Sequence, residues 1–453
     1  MGLSTIILAA GQGTRMRSDL PKVLQPLACR PLLEHVLNTA RAIGASDIAV
    51  VYGHGGDAVQ AACDGPDIRW ELQAEQLGTG HAVQQAAPGL PDDNQVLMLY
   101  GDVPLLTVAT IRRLIDATAA NQVSVLTVDL EDPTGYGRII RQGGNVVGNV
   151  EEKDATEEQR AIRETNTGVM IAPGGKLKEW LAALSNDNAQ GEYYLTDIVG
   201  LAASDGAIVN GVKADNQTEV MGINDKKQLA EAERALQARL VDALMTEGVG
   251  FADPARVDIR GTLSCGKDVF IDINAVFEGD VHLGDGCHIE SNNLIRDSRL
   301  GTNTLVHSNC HIEGATSGDG CEIGPFARLR PGAELANSIK IGNFVEVKKS
   351  TIADGSKVNH LTYIGDAEIG SGVNVGAGTI TCNYDGANKH KTIIGDDVFI
   401  GSGVELVAPV EIGKGATVGA GSTITKPAPD DQLTLERAKQ MTVKGWKKPV
   451  KKG

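Results

Sequence analysis

Between Ile394 and Ile424 an apolar residue returns at every sixth position: Ile394, Ile400, Leu406, Ile412, Val418 and Ile424. Glycine follows immediately at 395, 401, 413 and 419. The same beat runs through Val257, Leu263, Val269, Ala275 and Val281, and again through Ile369 and Val375. A helix buries a stripe of period 3.6 and a half-buried strand alternates with period 2, so a period of six fits neither. It fits a triangular coil whose flat faces each contribute one inward side chain, stacked on its equivalents one coil above and below. Glycine beside the inward residue is expected to let the chain turn the corner. A parallel β-helix of hexapeptide-repeat type is therefore expected over residues 249–434. The beat fails at 382–391, Cys-Asn-Tyr-Asp-Gly-Ala-Asn-Lys-His-Lys, which no coil can hold and which should project as a loop.

The remainder obeys other periods. Residues 1–224 alternate apolar runs of strand length (Thr5–Ala10, Ile48–Tyr52, Gln95–Tyr100, Val123–Val128) with segments long enough for crossover helices, which predicts an α/β domain on a parallel sheet. From Asp225 to Glu247 there is no Gly or Pro, and Leu229, Ala232, Leu236, Leu240 and Leu244 fall near helical spacing, so 225–248 should be a helical linker. The tail, 435–453, carries seven Lys or Arg from Arg437 onward and no acidic residue after that point.

At 453 residues, two or three domains are expected. Asp and Glu total 58 against 42 Lys and Arg, a net charge of −16 that argues against nucleic acid as a partner. No apolar run approaches the roughly 18 residues of a membrane span. The apolar N-terminus lacks a basic flank and runs straight into Gly11-Gln-Gly, so it reads as a buried first strand, and a cytoplasmic location is expected. Seven Cys without a CxxC pair suit a reducing compartment with buried free thiols.

Chemistry concentrates first at Leu8-Ala9-Ala10-Gly11-Gln-Gly13-Thr-Arg15-Met-Arg, followed by Pro21-Lys22, directly after the first strand. Gly11 and Gly13 let backbone N–H groups approach an anion, a following helix N-terminus would add its dipole, and Arg15 and Lys22 can neutralise a polyphosphate. A dinucleotide fingerprint would need glycine where Met16 stands, and the GK[ST] of a Walker A loop is missing. The pattern G-x-G-T-R-M…P-K resembles the signature of sugar-nucleotide pyrophosphorylases, nucleotidyltransferases that act on sugar 1-phosphates. That resemblance implies a Rossmann-like nucleotidyltransferase domain.

Later stretches come in matching order. Gln73 and Gln76, beside Gly78-Thr79, offer amides that can pair with donor and acceptor edges of a pyrimidine; uracil, and so UTP, is what the resemblance implies. Tyr100-Gly101-Asp102 ends an apolar strand where open α/β sheets bind ligands, making Asp102 a candidate Mg²⁺ ligand. The resemblance implies Asn224 as the second ligand, and Gly137, Glu151, Asn166 and Tyr194 at the sugar phosphate. Cys287-His288 and Cys310-His311 do not repeat as a four-ligand zinc set.

In the expected β-helix, Asn359-His360-Leu-Thr-Tyr363 precedes Asn374-Val-Gly-Ala377. These residues and the order of the domains closely resemble the bifunctional enzymes that acetylate glucosamine 1-phosphate and then uridylylate the N-acetylglucosamine 1-phosphate formed. The resemblance spans essentially the whole chain and implies a left-handed β-helix and a homotrimer with acetyl-transfer sites between neighbouring prisms. By it His360 is the general base, a task for which imidazole titrates in the right range. Arg330, Lys348, Tyr363, Asn374 and Lys389 would hold the acetyl acceptor. Asn383 and Tyr384 would orient His360 or touch the reactants. Acetyl-CoA would run past Ala377, Ser402 and Ala420, with Arg437 at its phosphates. The competing readings are a monofunctional pyrophosphorylase with a purely structural β-helix, and a non-enzymatic scaffold.

Overall fold

A computed structural model describes residues 2–53 and 55–451. Contacts divide the chain into two compact units, Met1–Leu236 and Gln237–Gly453, and the division falls inside the helix Lys226–Thr246. The N-terminal half of that helix belongs with the first unit; its Val241 and Leu244 join the core of the second.

The first unit is built on a sheet with the strand order Val209–Lys213, Val123–Asp129, Glu164–Pro173, Gln95–Tyr100, Leu3–Ala9, Asp47–Tyr52, Ile68–Leu72. Alternate residues feed two cores: Ile6, Leu8, Val96 and Met98 pack on one face, Ile7, Ala9, Leu97 and Leu99 on the other. The sheet is not wholly parallel, because Glu164–Pro173 runs antiparallel to both neighbours. A short apolar run carries no record of strand direction, which its connections decide. The hairpin Arg138–Gln142/Asn145–Val150 joins this strand through Thr165 and Arg138. Strand order reverses at Leu3–Ala9, so the loops leaving Ala9 and Tyr100 diverge and open a crevice between them.

The second unit is a coil of short parallel strands from Gly250–Phe251 to Leu433–Thr434, one face forming an 11-stranded sheet and the other two a 17-stranded one. The six-residue beat lies inside it: Ile394, Ile400, Leu406, Ile412, Val418 and Ile424 are all buried in one continuous core. Their glycine neighbours do a different job from the one expected. Gly395, Gly401, Gly413 and Gly419 are not left-handed; a Cβ on Gly401 would lie 2.5 Å from Ala420 N, and one on Gly413 2.6 Å from Asp430 N. They admit the neighbouring coil, while the positive φ falls two residues later, at Asp397, Gly403, Gly415 and Gly421. The coil from Ile369 to Ile394 takes 25 residues where the next, to Ile412, takes 18. The excess is the projecting segment, closed by a bridge between Tyr384 and Lys389 and a hydrogen bond of 2.7 Å between His390 Nε2 and Asp385 Oδ2.

Candidate functional site

The Gly-rich loop of the first unit is shaped by Gly13, whose φ of +63° suits glycine and whose Cβ would meet Lys22 Cβ at 2.6 Å. The chain continues from it into a single 3₁₀ turn, Thr14–Met16, so the expected helix dipole is not there. Oxygen acceptors and cations converge instead. Lys22 Nζ donates to Asp102 Oδ2 and, at 3.2 Å, to Asn224 Oδ1. Two oxygens far apart in sequence thus meet at one positive charge, a hard donor pair that fits a divalent cation in the place the ammonium takes. Among the described residues no group of three or more His, Cys, Asp or Glu gathers as a metal site. A cation here would complete its shell from phosphate oxygens.

Three neighbouring cavities follow one another from that point, each sharing lining residues with the next. Gln12, Gly13, Thr14, Arg15, Lys22, Gln76 and Asn224 line one of about 390 Å³. Lys22 and Gln76 also line the next, of about 340 Å³, with Leu8, Ala9, Ala10, Gly11, Gln73, Gly78, Thr79, Tyr100 and Asp102. Thr79, Tyr100 and Glu192 are shared with a third, of about 310 Å³, which contains Gly137, Glu151, Asn166 and Tyr194. Gly101, between Tyr100 and Asp102, donates its N–H to Leu8 O at 2.9 Å.

Side-chain chemistry differs along this cleft. Gln73 is buried and its amide nitrogen is engaged by Gly78 O at 3.1 Å and His81 Nδ1 at 3.2 Å. It can therefore only accept from a base, not pair with both edges as expected, because its NH₂ holds the loop shut. Gln76 donates to Ala10 O. Asn166, 5% exposed, accepts from Gly168 N–H at 2.7 Å, whereas its Nδ2 is buried without a partner among the described residues. An orphaned donor facing a cavity is a place for a ligand oxygen. Burial raises the Tyr100 and Tyr194 phenols, helped by nearby carboxylates, so both stay protonated donors. Asp197, behind this cavity, is pushed up to about 6 by burial and then by Glu151 and Asp154.

In the second unit His360 ends the strand Lys357–His360 and is exposed. Its Nδ1 lies 3.0 Å from Asn343 Oδ1, one coil below and in register with it. Gly378 N–H donates to His360 O, Gly403 N–H to Ala377 O, and Gly421 N–H to Ser402 O. His360, Ala377, Ser402 and Ala420 are therefore one vertical column, small above the imidazole. Arg437 Nη1 donates to Ala420 O at 3.1 Å at the top of it. Asn343 did not stand out in sequence because its only signal is being one coil, 17 residues, before His360.

Within one chain the Asn383 amide bonds elsewhere than to His360. It is buried, donating to Asp366 Oδ2 and, at 3.5 Å, to Tyr363 OH, because the projecting loop leaves the coil only after it. Tyr384 is exposed under the Lys389 ammonium, 4.5 Å from its ring centroid. Arg330 follows the strand Arg328–Leu329 and Lys348 ends the strand of the next coil, Glu346–Lys348, which pairs in turn with Tyr363–Gly365; Arg330 is bonded to Glu346 at 2.7 Å. Asn374 sits on a different face, in the ladder Lys357, Asn374, Phe399. One chain thus does not bring Asn374 onto the Arg330–Lys348–Tyr363 face. The seven cysteines are free, as expected, but Cys29 is exposed and Cys265 and Cys382 only half-buried.

Comparison with known proteins agrees with a fold of two units. Residues 5–167 match the MobA-like NTP transferase domain, and residues 264–297 and 391–426 match the bacterial transferase hexapeptide family, whose coil is the left-handed parallel β-helix. A protein of Aromatoleum aromaticum named bifunctional protein GlmU is 57% identical over 451 residues, 99% of each chain. The chain belongs to the GlmU family. GlmU proteins of Azoarcus sp. (57% over 450 residues) and Herminiimonas arsenicoxydans (56% over 449) also match 99% of this chain and 100% and 99% of their own.

Proposed function

We propose that this chain makes UDP-N-acetylglucosamine in two steps, acetyl transfer to glucosamine 1-phosphate in the second unit and uridylyl transfer to the product in the first. GlmU relatives match both units end to end, which supports two activities over a pyrophosphorylase with a structural β-helix. The observation that carries the reading is the series of neighbouring cavities: a cationic compartment at Arg15 and Lys22, a flat one at Gln73–Thr79, and a polar one with an orphaned amide at Asn166.

For uridylyl transfer, UTP lies with its phosphates at Arg15 and Lys22 and its uracil against Gly78 and Thr79, where Gln73 accepts from the base N–H. Asn166 and Glu151 hold the sugar so that a 1-phosphate oxygen faces the α-phosphorus in line with the leaving group. The new P–O bond forms as the bond to the β-phosphate oxygen breaks, and pyrophosphate leaves with that electron pair. Asp102 and Asn224 would hold Mg²⁺, which supplies charge neutralisation at the phosphate oxygens. Lys22 and Arg15 offset the charge on the departing pyrophosphate.

For acetyl transfer, Asn343 accepts from His360 Nδ1–H and leaves Nε2 free to take the proton of the sugar amine. As the amine nitrogen bonds to the thioester carbonyl carbon its proton passes to Nε2, the C–S bond breaks with its electron pair on sulfur, and the imidazolium returns the proton to that sulfur, so coenzyme A leaves as the thiol. The column Ala377, Ser402, Ala420 leaves room for the pantetheine arm, with Arg437 toward its phosphates. Arg330, Lys348 and Tyr363 hold the acceptor's phosphate and ring. Asn374 and Lys389 join them from a neighbouring copy, so the working form is a homotrimer. A corner ridge of Phe326, Phe344 and Leu361, 50%, 55% and 63% exposed, supports self-association. The two phenyl rings stack at 5.3 Å and all three residues are left-handed, a strained way to display apolar surface to water. The enzyme works in the cytoplasm, where UTP and acetyl-CoA are available; none of the described helices is long and apolar enough to cross a membrane.

The test is to supply glucosamine 1-phosphate, acetyl-CoA, UTP and Mg²⁺ together and then omit each. Thiol release should need acetyl-CoA and the amino sugar, and pyrophosphate release should need UTP as well. Pyrophosphate release undiminished in Asp102→Ala would overturn the metal assignment.

A further inference from the structure

Behind the third cavity, Glu151 is held by residues that neither reaction uses directly. Its Oε1 accepts from Asn149 Nδ2 at 2.9 Å and from Thr196 Oγ1 at 2.8 Å. Both donors load the same oxygen, which leaves Oε2 for a ligand. Asn149 also lies against Gly137: a Cβ there would meet its Oδ1 at 2.7 Å and its Nδ2 at 2.8 Å. One amide therefore abuts two of the residues that line the cavity, while its own Oδ1 is buried without a partner among the described residues. The reverse orientation would set oxygen against the Glu151 carboxylate, so the amide can face only one way.

We propose that Asn149 is a positioning residue that aims the Glu151 carboxylate at the sugar hydroxyls, and that residue 137 is glycine so that this amide can reach it. The proposal rests on the uridylyl-transfer reading above. Asn149 touches no substrate; it acts through Glu151. A carboxylate with one donor removed can rotate, and the loss falls on the sugar and not on the nucleotide.

Two variants test it, with pyrophosphate release from UTP and N-acetylglucosamine 1-phosphate measured from pH 5 to 9 beside the wild type. Asn149→Ala should raise KM for the sugar phosphate about tenfold, as for loss of one charged hydrogen bond, with KM for UTP unchanged. Gly137→Ala should act in the same direction by pushing the amide aside, and the double variant should lose less than the two losses multiplied. Asn149→Asp keeps the shape and removes the donor. Two facing carboxylates share a proton, so the ratio of variant to wild-type kcat/KM should recover at low pH, where a protonated Asp donates in place of the amide, and fall as pH rises. A ratio independent of pH, or equal rises in both KM values, would overturn the positioning role while leaving uridylyl transfer intact. A wild-type enzyme that releases no pyrophosphate would overturn both.

Discussion

Replacing Asn343 by Ala removes one atom pair of consequence, the 3.0 Å contact between its Oδ1 and His360 Nδ1. The β-helix backbone around it is pinned on both sides, by Leu361 N–H to Asn343 O and Gly378 N–H to His360 O, so the scaffold should not move. A hydrogen bond between neutral groups contributes about 0.5–1.5 kcal/mol, which as a transition-state loss is a fall of roughly 2- to 13-fold in kcat for acetyl transfer. Deleting the base itself, His360→Ala, should cost about 10² to 10⁴-fold. The ordering of the two variants is the prediction: Asn343→Ala sits well above His360→Ala in acetyl transfer, and both keep uridylyl transfer. Asn343→Asp should go further and change the shape of the profile, because a carboxylate on Nδ1 favours the imidazolium and moves the acid limb of kcat/KM to higher pH. Thiol release from acetyl-CoA followed from pH 5 to 9 measures all three. If Asn343→Ala were as inactive as His360→Ala, or Asn343→Asp kept the wild-type profile, the idea that Asn343 only orients the ring would fail.

The same geometry sets other outcomes. Lys22→Met leaves the Asp102 and Asn224 oxygens facing one another without the ammonium; pyrophosphate release should fall by about 100-fold or more while thiol release holds, and an unaltered rate would remove Lys22 from the reaction. Asp197 titrates near 6 in the folded chain against about 3.9 when unfolded. The protonated form is thus the one folding favours, stability is full below pH 4, and it declines as pH rises through 6, by about 1–2 kcal/mol after solvent screening. Asp197→Asn should therefore gain in melting temperature over wild type between pH 4 and pH 8, and a gap that stays constant with pH would contradict the assignment. Gly401→Ala drives a Cβ to 2.5 Å from backbone of the next coil, for a loss of about 3 kcal/mol. Gly403→Ala has open space and only its φ of +65° against it, for about 1 kcal/mol; calorimetry showing the two equal would mean the coils can part.

Much of the architecture was legible because it is written in periods. Inward positions of a triangular coil recur every six residues whatever surrounds them, so the second unit could be read from Ile394 to Ile424 alone. Glycine at 401 and 413 was legible as a requirement but not as its cause, since close approach of a neighbouring coil and a left-handed turn both call for a missing Cβ. The direction of Glu164–Pro173 was not legible at all, because an apolar run reads alike in either sense. At the candidate sites, residue type marked Lys22, Asp102 and Asn224 one at a time. Asn149 and Asn343 carried no such mark, since asparagine on a strand is ordinary until its neighbour is known.

The chain's order of residues settled which periods it would bury, and hence two units of different build, and it placed a glycine-rich cationic loop at the end of the first strand. Only the tertiary structure decided who stands beside whom. His360 stacks on Asn343 and under Ala377 because backbone hydrogen bonds between coils are 17 or 18 residues apart in regular turns and 25 where the loop intervenes. The Lys22 ammonium meets Asp102 and Asn224 across 80 and 202 residues of chain. Periodicity is a local property that each segment carries with it, whereas the meeting of such distant groups depends on how all the packed faces close together.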